Sequence, residues 1–359
     1  MKTFRILDLF SGAGGFSCGF DMVNGFSTEI ALDFDKDAIN TFQKNFPNAT
    51  CICGDICKEE IKTQIEVLAK EKQVNMIIGG PPCQGFSLKG KNLGLEDPRN
   101  FLFLEYVELV KRIQPEIFVI ENVKNLISSG NGYFIKQIYE KFENIGYSLN
   151  HSILCAYDFG VPQTRERAII IGVKRNKQIP MPTNYSDIKT TVRDAISDLN
   201  YLNSNEGEDV SEYRNESQSE YQKLLRNPDG ILYNHYASNH TDWALEKLRM
   251  IPPEGDKSSL PIELHGKQQF KTTWGRLIWD KPSGTIDTRF DTPSNGKNSH
   301  PELHRSITPR EAARIQSFPD SFRFYGKKVA VRKQIGNAVP PLLAKAIGEH
   351  IQKEFSENE

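Results

Sequence analysis

An alternation running through residues 1–175 constrains the fold of this chain more than any other feature. Short β-rich runs occur at Phe4 to Leu9, Glu29 to Leu32, Met76 to Ile78, Ile117 to Ile120 and Ala168 to Val173. Between them, Lys36 to Phe46, Glu59 to Glu71, Phe101 to Ile113 and Phe134 to Ile145 carry apolar residues at helical spacing. Strands separated by amphipathic helices predict crossover units and a parallel sheet, which is the α/β class. After Arg175 the rhythm stops, and Pro180, Pro182, Pro228, Pro252, Pro253 and Pro261 interrupt any regular pattern. That change predicts a second, smaller and irregular domain. Asn337, Pro340 and Pro341 then open a helix in which Leu343, Ile347, Ile351 and Phe355 recur every four residues, a stripe expected to pack back on the first domain.

At 359 residues and 38% hydrophobic content the chain can bury cores for two domains. No uninterrupted apolar run is long enough to cross a bilayer, so neither signal peptide nor membrane anchor is expected. Six irregularly spaced cysteines do not make a disulfide framework, which fits a reducing cytoplasm and free thiols. The net charge of −1 does not announce a nucleic-acid binder, but its distribution is uneven. Tyr201 to Glu220 holds six acidic residues against Arg214 alone. Pro301 to Ile335 reverses this with Arg305, Arg310, Arg314, Arg323, Lys327, Lys328, Arg332 and Lys333, a stretch that could track a phosphate backbone.

Two loops carry the chemistry. The first strand runs from Asp8 into Phe10-Ser11-Gly12-Ala13-Gly14-Gly15-Phe16, a glycine-rich turn that lets the backbone approach a ligand at the sheet edge. The second strand ends in Asp33-Phe34, where a carboxylate can hold two ribose hydroxyls and the ring can stack on adenine; Asp55 could accept from the adenine amine. Those three edges suit an adenosine moiety. The strand Met76 to Ile78 leads into Gly79-Gly80-Pro81-Pro82-Cys83-Gln84-Gly85. Two prolines stiffen the approach to a cysteine, and Gly85, Gly90 and Gly94 loosen the loop beyond it. A cysteine so placed is a candidate nucleophile, provided the site favours its thiolate. Cys51, Cys53 and Cys57 match no common zinc spacing and read as packing residues.

Asp8 to Phe16 together with Pro81-Pro82-Cys83-Gln84 resembles the bacterial cytosine-5 DNA methyltransferase family. Later blocks agree in order: Glu121-Asn122-Val123, Gln163-Thr164-Arg165-Glu166-Arg167, Arg305 through Thr308-Pro309-Arg310-Glu311 to Phe318-Pro319, and Gln334 to Pro340. The resemblance implies a Rossmann-like S-adenosylmethionine-dependent methyltransferase sheet, with residues 1–184 plus 330–359 as catalytic domain, 185–300 as target-recognition domain and 301–329 connecting them. Cys83 is then the nucleophile that adds to carbon 6 of cytosine, because carbon 5 alone is too poor a nucleophile to take a methyl group from a sulfonium. Glu121 relieves the charge that develops toward N3 and the exocyclic amine, and Arg165 and Arg167 hold O2 and the nearby backbone. Phe10, Ser11, Gly12, Gly14, Gly15, Phe16, Asp33, Phe34, Asp55, Ile56, Pro82, Leu102, Asn337 and Ala338 are implied to bind S-adenosylmethionine and its product S-adenosylhomocysteine. No metal is implied.

Cytosine stacked in a duplex is out of reach of this chemistry, so the partner is double-stranded DNA with the base flipped out. Gln84, Ser87, Lys89, Lys91 and Arg99 lie on the loop suited to close over it, and Arg276 and Arg289 are candidates for guanine contacts. His235, His240, His265, His300 and His304 read as surface or packing residues, since no cysteine accompanies them. A monomer is expected, and by analogy a cognate restriction endonuclease sharing the target. One branch of the family methylates cytosine in transfer RNA and carries a late Cys-Phe-Thr signature; here no cysteine follows Cys155.

Overall fold

A computed structural model describes residues 1–82, 101–174, 178–183, 189–266 and 272–356. The chain forms two compact units: Met1–Cys155 with Glu166–Tyr185 and Leu343–Glu359, and Ala156–Arg165 with Ser186–Leu342. In the first unit the elements run β1 (Phe4–Leu9), α1 (Gly15–Asp21), β2 (Phe26–Asp33), α2 (Lys36–Asn45), β3 (Thr50–Cys53), α3 (Glu59–Glu71), β4 (Met76–Gly79), α4 (Phe101–Ile113) and β5 (Ile117–Val123). They continue with α5 (Asn125–Ser128), α6 (Tyr133–Glu143), β6 (Tyr147–Cys155) and β7 (Glu166–Lys174). The strands make one sheet in the order β3-β2-β1-β4-β5-β7-β6.

The sheet is α/β as expected but not wholly parallel: β7 lies antiparallel between β5 and β6. Only residues 156–165 separate β6 from β7, too few for a crossover helix, so the chain returns as a hairpin. Strands β3 and β6, which the β-rich runs did not reveal, are the two outermost. β6 has one face half open and accordingly carries Ser148, Asn150, His151 and Ser152, which mask its strand character. The inner strands β4 and β5 read almost continuously apolar because helices cover both faces. Phe118 of β5 stacks on Phe142 of α6 at 4.2 Å between ring centres, at the heart of a core that also takes in Leu7, Ile30, Ile77 and Ile170. Cys53 is exposed rather than packed.

The second unit holds short helices and one hairpin: α7 (Val192–Ile196), β8 (Gly207–Glu212), α8 (Glu220–Leu225), β9 (Ile231–Tyr236), α9 (Asp242–Met250), α10 (Pro309–Ile315) and α11 (Lys328–Asn337). The last helix, α12 (Pro341–Ser356), lies with the first unit from Leu343 onward; Leu343, Ile347 and Ile351 are fully buried, and the Phe355 ring meets Phe4 edge-on at 5.1 Å.

The basic run from Pro301 to Ile335 divides between surface and interior: Lys327, Lys328 and Lys333 are exposed, whereas its first three arginines are not. Arg305, Arg310 and Arg314 are fully buried. Arg305 forms a two-point pair with Glu311, each bond 2.7 Å, and Glu311 also accepts from the Thr308 N–H in a capping box that starts α10. Arg314 pairs with Asp320 at 2.7 Å and Asp198 at 2.5 Å, while Arg310 donates to the carbonyls of Tyr233, Pro319 and Phe322. Guanidinium groups in an interior must be paired and hydrogen-bonded, and these are. The charge of these three arginines therefore organises the unit's interior. Among the described residues no helix is long and apolar enough to cross a membrane.

Candidate active site

Most candidate residues of the first unit lie at or just beyond the carboxyl ends of β1 to β5. After β1 the backbone turns through left-handed conformations at Phe10 (φ 59°), Gly12 (φ 54°) and Gly14 (φ 99°). A side chain at Gly14 would strike the rings of Phe42 and Phe46, which explains its glycine. The turn is fastened to β2: Ser11 N–H donates to the Leu32 carbonyl at 3.0 Å and Gly12 N–H to Asp33 Oδ2 at 2.8 Å. Asp33 Oδ1 accepts from Asp35 N–H at 2.9 Å, so this carboxylate is fixed by backbone on both sides while burial pushes its pKa up. Beside it Phe34 is 77% exposed, an open ring next to an oriented carboxylate.

Asp55 is exposed beyond β3, its carboxyl held below the usual range by the Cys57 N–H at 3.0 Å, and Ile56 is buried behind it. Gly15 and Phe16 are buried in α1, and Leu102 is half-buried on α4 against the core. Asp8, next to last in β1, lies in the interior, where its Oδ2 accepts from Ser17 Oγ–H at 2.7 Å. Burial drives this carboxyl up to about 8.

Strand β4 leads toward Pro82, half-buried and the last described residue on that path. Asn122 of β5, to which the sequence pattern attached no role, donates through Nδ2 to the Pro81 carbonyl at 2.8 Å and fixes the path by which the chain approaches Cys83. Its neighbour Glu121 stands beside that path: a Cβ placed on Gly80 would lie 3.3 Å from Glu121 Oε2. Across the antiparallel ladder Glu121 faces Ile169 and Val123 faces Arg167, so Glu121 and Arg167 are diagonal neighbours on one face. Arg167 Nε donates to Glu121 Oε1 at 2.8 Å, with both side chains mostly buried. Glu121 and Arg167 are thus brought together by sheet register.

Arg165 belongs to the second unit and is 2% exposed. Its Nη1 donates to the Ile286 carbonyl and its Nη2 to the Gly336 carbonyl, both at 3.1 Å. Gln163, fully buried, donates to Gln316 Oε1 at 2.7 Å, and Gln316 in turn donates to the Ile335 carbonyl at 2.6 Å. Two parallel links therefore tie the Gln163 to Arg165 segment to the end of α11, where Asn337 is exposed and Ala338 half-buried. Cys83, Gln84, Ser87, Lys89, Lys91 and Arg99 lie outside the described residues.

Arg276 corrects an expectation. It is 1% exposed, and its guanidinium donates to the carbonyls of Leu248, Ile251, His300 and Leu303 and to His304 Nδ1. Every N–H of the fork is spent inside the unit, leaving none for a guanine edge. Arg289 has an exposed side chain. His235 and His300 are buried, the first bonded through Nδ1 to Thr308 Oγ1 at 3.1 Å.

The seven-stranded mixed sheet carries an oriented acidic residue, a glycine turn and a paired Glu–Arg, and its likeness to a solved structure places it in the α/β methyltransferase class. It matches, with a TM-score of 0.79 and 26% identity over 99% of this chain and all of the other, the crystal structure of a prophage-encoded Escherichia coli protein assigned as a DNA modification methyltransferase. A sequence model of the C-5 cytosine-specific DNA methylase family covers residues 4–353. The chain is 38% identical to the type II methyltransferase M1.HphI of Haemophilus parahaemolyticus, over 97% of this chain and 86% of that one. It is 36% identical to M.DdeI of Desulfomicrobium norvegicum, over 98% and 89%. The chain belongs to the C-5 cytosine-specific DNA methylase family and is a DNA cytosine-5 methyltransferase.

Proposed function

We propose that the enzyme methylates carbon 5 of a cytosine flipped out of a specific double-stranded DNA sequence, using S-adenosylmethionine and a covalent Cys83 adduct. The pairing of Glu121 with Arg167 beside the exit of β4 carries this reading, because it sets an oriented carboxylate next to the segment that delivers Cys83.

The residues of the sheet edge fit the cofactor. Asp33 offers a fixed carboxylate for two hydroxyls, Phe34 an open ring for a purine, and the Phe10 to Phe16 turn a close backbone approach. When bound, S-adenosylmethionine supplies a methyl group on an electrophilic sulfonium.

The chain's own groups make carbon 5 able to accept it. The Cys83 thiolate adds to carbon 6, forming the S–C bond and moving an electron pair toward carbon 5 and N3. A proton on the Glu121 carboxyl group is given to N3 as negative charge builds there, while its oxygen accepts from the exocyclic amine; Arg167 holds the group in place. Once carbon 5 has taken the methyl group, which would leave S-adenosylhomocysteine, its proton passes to a base, for which water is the candidate, and the bond between the Cys83 sulfur and carbon 6 breaks to return the thiolate. Arg165, locked to the Gly336 and Ile286 carbonyls, positions the segment that joins it to Arg167. The enzyme acts as a cytoplasmic monomer in a restriction-modification pair, protecting the sequence its endonuclease cuts.

Mapping 5-methylcytosine in the genome of a host expressing the protein tests this directly. A single recurrent motif with methylation at cytosine carbon 5 is expected; an unmodified genome, or methyl groups on exocyclic amines, contradicts it.

A further inference from the structure

The geometry points to Asp8 as the residue that tells the charged cofactor from its neutral product: its carboxyl group keeps a proton until a sulfonium comes near and then gives it up to solvent. The inference rests on S-adenosylmethionine binding at the sheet edge and adds how that site discriminates. S-adenosylmethionine carries a net positive charge through its sulfonium, and S-adenosylhomocysteine, a thioether, carries none. A site that must let its product go gains from a group that responds to that charge.

Sheet order sets where that charge lies. β1 runs between β2 and β4, and Asp8 pairs with Ala31 on one side and Ile78 on the other. β2 ends in Asp33, followed by Phe34, which together suit the adenosine, and β4 leads to the segment that delivers Cys83, where the methyl group is needed. The sulfonium is bonded to both the adenosine and the methyl group, so it crosses the carboxyl end of β1. Neighbouring strands lie about 5 Å apart, which brings it within roughly 10 Å of the Asp8 carboxyl group.

Asp8 is 1% exposed, and among the described residues no basic side chain faces it. The ionisable groups around it are Asp33, Asp21, Cys51 and Tyr106, none of them cationic. Burial without a counter-charge disfavours the carboxylate, the charge of Asp33 adds to this, and the group sits at about 8. In the turn that follows, Ser11 Oγ is also buried and has no hydrogen-bond partner among the described residues, which leaves a polar atom for a ligand. A unit positive charge at roughly 10 Å favours ionisation of a buried carboxyl group about fifteenfold at an effective dielectric constant of about 20. At pH 7 this expels about half a proton from Asp8. The carboxylate so formed attracts the sulfonium. Transfer of the methyl group leaves a neutral thioether, the carboxyl group takes its proton back from water, and the product is held less tightly.

Titration calorimetry of the full-length enzyme with S-adenosylmethionine, repeated in buffers of different ionisation enthalpy, counts the protons released on binding. At pH 7 the unmodified enzyme should release about half a proton more than Asp8→Asn, and between pH 6 and 8 its affinity should rise about sevenfold more than that of the variant. S-adenosylhomocysteine should show neither difference, because its own amino group titrates alike with both proteins. Should Asp8→Asn fail to fold, Ser17→Ala withdraws a hydrogen bond that favours the carboxylate and should move the proton release to higher pH. Proton release that is the same in the unmodified enzyme and the variants overturns the inference. So does a linkage of equal size for S-adenosylhomocysteine, which would make Asp8 respond to occupancy and not to charge. An unmodified enzyme that does not bind S-adenosylmethionine at all would contradict the proposed function instead, so the two failures are distinguishable.

Discussion

Arg167 Nε and Glu121 Oε1 meet at 2.8 Å as diagonal neighbours across the β5–β7 ladder, an ion pair set by strand register rather than by chance contact of two long side chains. The antiparallel insertion of β7 makes this possible. A parallel strand would run the other way and carry Arg167 to the opposite end of the sheet.

If Glu121 meets the charge that develops on cytosine, Glu121→Gln lowers kcat by about 10²- to 10⁴-fold, the range for a positioned acid–base group. Arg167→Lys should recover little of what Arg167→Ala loses, because an ammonium cannot reproduce the guanidinium's directed Nε–H. Single-turnover methylation rates at saturating DNA check both. Wild-type rates in Glu121→Gln would remove the residue from the chemistry.

Arg314 should prove a stability residue. Arg314→Met leaves Asp198 and Asp320 buried beside a neutral side chain, and removing one partner of such a pair costs about 3–5 kcal/mol. Urea unfolding measures it. The salt dependence of DNA binding should keep its slope, which would flatten by about one if Arg314 neutralised a phosphate.

Asp8 gives a pH signature. Its folded-state pKa is raised to about 8, so between about pH 4 and 8 the folded protein keeps a proton that the unfolded chain has released. Stability from this group is complete below about pH 4 and declines as pH rises, by about 1.4 kcal/mol per pH unit, until the folded carboxyl ionises. Asp8→Asn, which mimics the neutral form, should flatten that decline. Urea midpoints of the two proteins across this range should diverge as pH rises; parallel curves would place Asp8 as ionised.

Much of this molecule is legible in its sequence because the inner sheet leaves few alternatives. Continuous apolar runs at Met76 to Ile78 and Ile117 to Ile120 occur where both faces are covered, and the residues at their carboxyl ends are the ones brought to the edge. Charge was less readable. Arg305, Arg310, Arg314 and Arg276 look like contacts for a polyanion, yet all are inside, because a guanidinium can satisfy buried carbonyls and carboxylates as readily as phosphates. Nothing in a residue's identity distinguishes the two uses; its partners Asp198, Asp320 and Glu311, two of them within six residues, offered the available hint. Asn122 stands in a block that carries the resemblance, but its role was illegible for a different reason, as it is a bond to a carbonyl 41 positions away.

The central claim is covalent attack by Cys83, and trapping tests it most directly. Incubated with S-adenosylmethionine and duplex DNA carrying 5-fluorocytosine at the target, the enzyme should form a complex that survives denaturation, because fluorine cannot leave carbon 5 as a proton does. Cys83→Ala should form none while still binding the duplex. A wild-type enzyme that methylates cytosine yet leaves no such adduct, or a Cys83→Ala variant that still turns over, would contradict the account.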